Sequence, residues 1–189
     1  IYPDLQSMFD QMRTKGIYPV AGEGYRSEQQ QEDIMQEKIN AYLAEGYSER
    51  KARKEAEKWV AKPNYSEHQL GLALDINADK SRCDNDTIYQ WLSQNAYRYG
   101  FILRYPDDKT SITGVDYMPH HFRYVGLPHS LIMYENNYCL EEYLDYLKSY
   151  TIDQPLTYTT DDASYEIYYY AANSNGETEV KIPKKDSYS

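Results

Sequence analysis

The segment from Leu72 to Ile76 alternates between large apolar and small or polar side chains, which is typical of a β-strand. Leu72, Leu74 and Ile76 share one face because successive side chains of a strand point to opposite faces. Ala73 and Asp75 occupy the other face. The pattern therefore predicts a strand that packs its apolar face in the core and points Asp75 toward a cleft.

Apolar residues at helical spacing predict several helices. The apolar positions from Leu5 to Met12 predict an amphipathic helix over residues 4–15. Residues 27–61 predict a helical hairpin, with Ser48 as the candidate N-cap of its second helix. Further helices are predicted after Asp84 or Asp86, after Pro128, and from Leu140 to Leu147.

Short apolar segments bounded by turn residues predict the remaining strands. They lie at residues 17–20, 101–105 and 121–125. Because short strands alternate with helices, the expected fold is α+β, a small, mostly antiparallel sheet flanked by helices.

The composition changes after Tyr150, where Thr, Tyr, Asp, Asn and Ser become frequent. We therefore predict a catalytic-type domain over residues 1–150 and a Tyr-rich C-terminal extension over residues 151–189. This division leaves one domain with a sizeable core and a short appendage.

A β-hairpin is predicted within the extension. Residues 165–170 read as a strand, and the turn at residues 173–176 leads into Val180 and Ile182. The fold class thus includes a C-terminal hairpin extension.

Charge and composition narrow the possible partners. The formal net charge of −10 argues against a nucleic-acid partner, because phosphate binding needs a basic surface. No run approaches the roughly 18 apolar residues of a membrane span, and the first residues lack the pattern of a signal peptide. Cys83 and Cys139 fit one disulfide or two free thiols equally well. We expect a monomer without a transmembrane segment in this chain.

His68 and Asp75 bracket the short apolar run that is predicted as a strand, and both are candidate metal ligands. Gly71 lets the backbone bend there, so that His68 can fold back beside Asp75. An imidazole and a carboxylate on one rim make half of a zinc site.

Three motifs, taken together, resemble those of a known family. They are Gly-Tyr-Arg-Ser from Gly24 to Ser27 followed by Gln29 and Gln30, Ser-x-His-x-x-Gly-x-Ala-x-Asp from Ser66 to Asp75, and His-Phe-Arg-Tyr-Val-Gly from His121 to Gly126. They resemble VanY-like D-alanyl-D-alanine carboxypeptidases, which belong to the LAS group of zinc peptidases. Order and spacing agree from about Leu5 to Leu147, so the resemblance implies the fold of that family.

The resemblance also implies a ligand set for zinc. His68, Asp75 and His121 would supply three protein ligands and leave a position open for water. His121 is preferred to its neighbour His120 because His-Phe-Arg-Tyr is the matching motif.

The substrate implied by the resemblance is a peptidoglycan stem peptide ending in D-Ala-D-Ala. Arg26 and Ser66 are the expected catalytic and substrate contacts, and Ser27 and Gln30 are further expected substrate contacts. Such a substrate implies an extracytoplasmic location, at the cell wall or on a membrane-anchored ectodomain of a bacterium.

The chain departs from the family pattern at the general base. The family has Glu three residues before the final ligand histidine, and Met118 stands there. Since a thioether cannot accept a proton from water, we expect weakened hydrolysis, or a non-catalytic homologue that binds peptidoglycan or zinc. Asp116 is one candidate substitute base, and Glu23 and Glu67 are two others.

Overall fold

The described part of the computed structural model, residues 1–180, confirms the predicted mixture of helices and a small antiparallel sheet. Its helices are α1 (Tyr2–Thr14), α2 (Glu28–Ala44), α3 (Glu49–Ala56), α4 (Asn85–Asn95), α5 (Thr110–Thr113), α6 (His129–Glu135) and α7 (Leu140–Leu147). Its strands are β1 (Pro19–Ala21), β2 (Ala73–Ala78), β3 (Phe101–Leu103), β4 (His121–Tyr124), β5 (Leu156–Thr159) and β6 (Ser164–Ile167). Short 3₁₀ turns lie at Glu67–Leu70, Ala96–Tyr99 and Asp107–Lys109.

The chain separates into two compact units, one from Ile1 to Cys139 and one that begins at Leu140. The boundary between the two units precedes residue 150, where the sequence predicts that the catalytic-type domain ends. That domain boundary stays a prediction. Within residues 1–180, none of the helices combines the length and the apolar character needed to cross a membrane. Cys83 and Cys139 are free thiols.

The sheet of the first unit has the antiparallel strand order β1-β2-β4-β3. In the pairing of β2 with β4, Asp75 lies directly opposite His121. Directly opposed residues of antiparallel strands project their side chains to the same face. The register of these two strands therefore brings the Asp75 carboxylate and the His121 ring together.

The main core lies where α1 and α4 pack against this sheet, and it holds the sheet in place. Among its buried members are Met8, Met12, Ile76, Ile88, Leu92, Phe101 and Phe122. Asp84 starts α4 as one of the two predicted caps, because its carboxylate accepts a 2.7 Å hydrogen bond from the Thr87 amide.

The predicted helical hairpin consists of α2 and α3 and has a small core of its own. Met35 and Ile39 from α2 pack with Ala52 and Ala56 from α3, and all four are buried. Ser48 occupies the N-cap position of α3, as the sequence predicts. Because alanine side chains are small, Ala52 and Ala56 allow α2 and α3 to pack closely.

The second unit contains the predicted hairpin, but with different strands. Residues 164–167 pair with the preceding β5, with Tyr158 opposite Tyr165. Residues 168–180 contain no strand, so Val180 is not part of the hairpin. Ile182 lies outside the described residues. The alternation over residues 156–159 supplies a partner that is closer in sequence, and short hairpin connections are favoured.

Candidate active site

His68 is held in one tautomer by the loop that precedes α2. It lies in the 3₁₀ turn Glu67–Leu70, which ends at Gly71 with a positive φ of 67° that favours glycine. The Nδ1 atom of His68 lies 2.7 Å from the carbonyl oxygen of Gly24. A carbonyl only accepts hydrogen bonds, so Nδ1 donates and the other ring nitrogen, Nε2, keeps its lone pair.

Asp75 joins the two imidazoles. Its Oδ1 lies 3.8 Å from Nε2 of His68 and 2.9 Å from Nδ1 of His121. One donor atom from each of the three residues lies within 4.8 Å of the other two. The 3₁₀ turn and the β2/β4 register thus bring together the three residues that the sequence singled out.

This donor set fits a catalytic zinc site. Two imidazoles and one carboxylate are a known set of protein ligands for such zinc, and the His68 lone pair already faces Asp75. His68 and His121 are only 4% and 6% exposed, so the donors sit at the base of a cleft. The Tyr105 ring stacks on His121 at 5.2 Å between ring centroids and restricts its rotation.

Charge and burial act differently on the three donors. Burial raises the pKa of the Asp75 carboxyl, but the hydrogen bond and charge of His121 outweigh it, so the pKa lies below its ordinary value. Burial, with the nearby Arg26 charge, lowers the pKa of His68. Burial lowers the pKa of His121 too, but the neighbouring carboxylates Asp75 and Glu67 outweigh this and raise it. Asp75 is therefore ionised and His68 neutral near pH 7, as ligation requires.

Arg26 lies at the edge of the donor group. Its Nε donates to Glu23 Oε2 at 3.0 Å, and one terminal nitrogen donates to Gln31 Oε1 at 3.3 Å. The other terminal nitrogen lies 3.7 Å from Asp75 Oδ2. The guanidinium is thus fixed in orientation and lines the cleft, while its role in substrate binding stays a prediction.

The predicted substrate contacts divide into two groups. Ser66 is buried and lines the cleft. Ser27 and Gln30 instead form a capping box at the start of α2, each side chain bonding the backbone amide of the other. Neither lies among the described residues that line the cleft, whereas the next residue, Gln31, does.

Gln31 is a site residue that the sequence reasoning missed. Its side chain is buried, with Oε1 accepting from Arg26 and Nε2 donating to the Ala61 carbonyl at 2.7 Å. It therefore links the arginine to the end of the helical hairpin. The sequence signal for Gln31 is its position one turn inside a capped helix. The family motif instead indicates Gln30.

The cleft has a volume of about 200 Å³ and two contrasting walls. The sheet wall consists of Arg26, Glu67, His68, Asp75 and His121. The hairpin wall consists of Ile34, Glu57, Trp59, Val60 and Ala61. Met118 and His120 also line the cleft, and burial lowers the pKa of His120.

The three candidate substitute bases have different positions. Asp116 and Glu23 do not appear among the described residues lining the cleft, and Glu23 instead pairs with Arg26. Glu67 does line the cleft, but two arginines hold it. Its Oε1 accepts from Arg104 Nε at 2.7 Å and lies 3.1 Å from a terminal nitrogen of Arg123.

The fold and the donor set define a mixed helix-and-sheet protein with a candidate metal centre in an open cleft. The family model for VanY, D-alanyl-D-alanine carboxypeptidase, matches residues 1–127. The chain therefore belongs to this family, as the motifs predicted.

Individual relatives agree with this assignment. The chain is 52% identical over 145 residues to a D-alanyl-D-alanine carboxypeptidase of Enterococcus faecalis, a match that covers 77% of this chain and 54% of the relative. The chain thus spans about half the length of that curated relative.

Two solved structures are similar at 51% identity, each match covering 76% of this chain and 80% of the other. One is VanYB in complex with D-alanine-D-alanine, with a TM-score of 0.75. The other is a mutant VanY from a VanB-type resistance cassette in complex with Zn(II), with a TM-score of 0.74.

Proposed function

We propose that this chain holds zinc through His68, Asp75 and His121 and binds the D-Ala-D-Ala end of a peptidoglycan stem peptide. The observation that carries the proposal is the convergence of these donors in an open cleft of a VanY-family chain. When bound, zinc supplies a Lewis acid that polarises the scissile carbonyl and lowers the pKa of a water molecule. The ligands of the two similar solved structures support both parts of the proposal.

Arg26 is the residue we assign to grip the peptide. Its side chain is 15% exposed, and its guanidinium lies within 3.7 Å of Asp75, so its positive charge is held beside the donor group. The planar fork of an arginine suits a terminal carboxylate or a developing oxyanion. Ser66 is the second proposed contact with the peptide. Ser27 and Gln30 are weaker candidates for such contacts, because their side chains already bond to backbone amides in the capping box.

Hydrolysis is slow in this proposal because Met118 occupies the general-base position. Met118 is 8% exposed and lines the cleft with the three donors. A thioether cannot take the proton of an attacking water, and general-base action typically contributes about 10² to 10⁴ in rate.

Two glutamates, Glu67 and Glu57, line the described cleft, and both are weak substitutes for the missing general base. Burial raises the pKa of the Glu67 carboxyl, but His121, Arg104 and Arg123 outweigh burial and lower the pKa to about 2. A carboxylate of such low basicity is a poor proton acceptor near neutral pH. Glu57 lies on the hairpin wall, where its Oε1 is 3.3 Å from the Lys62 ammonium.

Met118 also favours a second candidate function, a non-catalytic homologue that binds zinc and the stem peptide without turnover. Both functions use the same ligands and the same cleft. They differ only in whether any residual group accepts the proton, so a rate measurement separates them. A peptidoglycan substrate places either function at the bacterial cell wall.

The decisive experiment compares Met118→Glu with the matched control Met118→Gln. D-Ala release from a peptide ending in D-Ala-D-Ala is measured with zinc-loaded protein. We expect a low rate in the wild type, a rise of about 10² or more in Met118→Glu, and no rise in Met118→Gln, which has the same shape without a base.

Three results would contradict this account. Rapid turnover by the wild type that stops in Asp116→Asn or Glu23→Gln would show that the base has moved. An equal gain in the glutamine control would show that shape, and not proton transfer, limits the wild type. Failure of the wild type to bind zinc would reject the metal site itself.

A further inference from the structure

Two buried polar atoms on the sheet wall face each other without a hydrogen-bond partner. Within residues 1–180, these are Oε2 of Glu67 and Nε2 of His121, each shielded from solvent. They lie 3.9 Å apart, about 1 Å beyond an ordinary hydrogen bond. An unsatisfied buried polar atom is costly, so a close pair of them needs a physical explanation.

The two arginines determine which Glu67 oxygen faces the histidine. Arg104 and Arg123 both contact Oε1, at 2.7 and 3.1 Å. Both guanidinium groups therefore fix the carboxylate from one side and leave Oε2 turned toward the His121 ring. The Glu67 side chain is 13% exposed, so water is largely excluded from this contact.

The other nitrogen of His121 has a different task. Its Nδ1 lies 2.9 Å from Asp75 Oδ1, on the side of the ring where the three donors converge. For Nδ1 to offer a lone pair to a metal, the single ring proton must reside on Nε2. That buried N–H then needs an acceptor, and Oε2 of Glu67 is in position to be one.

We infer that Glu67 is the positioning residue for His121, accepting the Nε2 hydrogen and so keeping Nδ1 free for the metal. The part of this inference that concerns the metal rests on the proposed function. The approach of Glu67 to His121 does not depend on it. His68 follows the same logic, with the Gly24 carbonyl as its acceptor. Each histidine of the donor group thus has its tautomer set by a partner outside that group.

Glu67→Gln tests the inference sharply because it preserves shape and changes only the hydrogen-bonding pattern. A glutamine has one oxygen, which Arg104 and Arg123 would both require. Its NH₂ group would then face His121 Nε2, turn that nitrogen into an acceptor and move the proton to Nδ1. The isosteric change should therefore place a proton on Nδ1 and remove the lone pair that would bind the metal.

The first measurement is zinc affinity by competition with a chelator. We expect Glu67→Gln to lose about 10- to 100-fold, the range typical of partners that orient a metal ligand. The matched control is Glu32→Gln, which removes the same charge from the exposed face of α2, outside the described cleft lining, and should change affinity less than about threefold. Equal affinities in Glu67→Gln and the wild type, with both proteins folded, would overturn the inference.

The second measurement reads the His121 ring by NMR of histidine-labelled, zinc-loaded protein, because without a metal the Asp75 carboxylate, 2.9 Å from Nδ1, itself draws a proton to that nitrogen. We expect a slowly exchanging proton on Nε2 in the wild type and in Glu32→Gln, and no protected Nε2 proton in Glu67→Gln. A wild type that binds zinc but has a freely exchanging Nε2 proton would overturn the inference even if the variant does not fold. Failure of the wild type to bind zinc would instead reject the proposed function, so the two failures give separate results.

Discussion

The sheet wall and the hairpin wall of the cleft hold their side chains by different interactions. On the sheet wall, charged groups are largely buried and hold one another by ion pairs and hydrogen bonds, as in the contacts of Asp75 with His121 and Arg26. The hairpin wall is mostly apolar, with Trp59 44% exposed and the partly buried Val60 packed against the core of the hairpin. The sheet wall therefore depends more strongly than the hairpin wall on exact donor and acceptor identities.

This difference determines what a substitution does at each wall. Removing one partner of a buried polar network leaves the other without a hydrogen bond. The stability of a packed apolar wall instead depends mainly on side-chain volume. Changes on the sheet wall should alter metal and ligand binding. Changes inside the hairpin should alter stability and leave the metal site intact.

The largest expected effect is the loss of zinc from His68→Ala. The wild type should bind about one zinc per chain, and the variant should lose stoichiometric binding because one of its three protein ligands is gone. Zinc content after dialysis is the measurement. His129→Ala is the control, since His129 lies outside the donor group and should leave the zinc content unchanged. Stoichiometric zinc in His68→Ala would reject this ligand assignment.

The next effect belongs to the hairpin wall and should appear in stability alone. Ala52 is fully buried between α2 and α3, so Ala52→Leu should overpack their interface and cost about 1–3 kcal/mol. Denaturant unfolding measures the loss, and zinc affinity of the folded variant should match the wild type. Lys54→Leu puts the same side chain on the exposed face of α3 and serves as the control. A loss of zinc affinity in Ala52→Leu would mean that the walls are coupled.

The sequence predicts the hairpin wall and the sheet from local patterns. Helical spacing of apolar residues located α2 and α3, and alternation located β2 with Asp75 on its polar face. The motifs named His68, Asp75 and His121, which the structure brings together. These features depend on spacing along the chain, which a single sequence displays.

Long-range contacts were beyond the reach of sequence patterns. The charge network of Glu67 with Arg104 joins residues 37 positions apart, and Gln31 reaches Ala61 across 30 positions. No periodicity links such residues, because their approach follows from how the hairpin and sheet pack. The sequence offers Glu67 only as a candidate base, whereas the role that we infer for it depends on its contacts with Arg104 and Arg123.

The smallest expected effect comes from a conservative exchange on the sheet wall. Arg26 is held by contacts in three directions, to Glu23, to Gln31 and to Asp75. Arg26→Lys keeps the charge but has no planar fork, so it can hold neither all three contacts nor a bidentate grip on a carboxylate. We expect affinity for a D-Ala-D-Ala peptide to fall about tenfold, equivalent to about 1.4 kcal/mol.

Calorimetric titration of zinc-loaded protein measures this change, and two controls sharpen the comparison of the walls. Arg13→Lys makes the same exchange at an exposed ion pair on α1 and should have no effect on peptide binding. Trp59→Phe makes a conservative exchange on the hairpin wall, where an apolar ring is retained, and should change affinity less than about threefold. If Arg26→Lys binds like the wild type, Arg26 is an ordinary salt-bridge residue. If Trp59→Phe costs as much as Arg26→Lys, donor geometry does not distinguish the two walls, because the peptide then depends on the hairpin wall to the same degree.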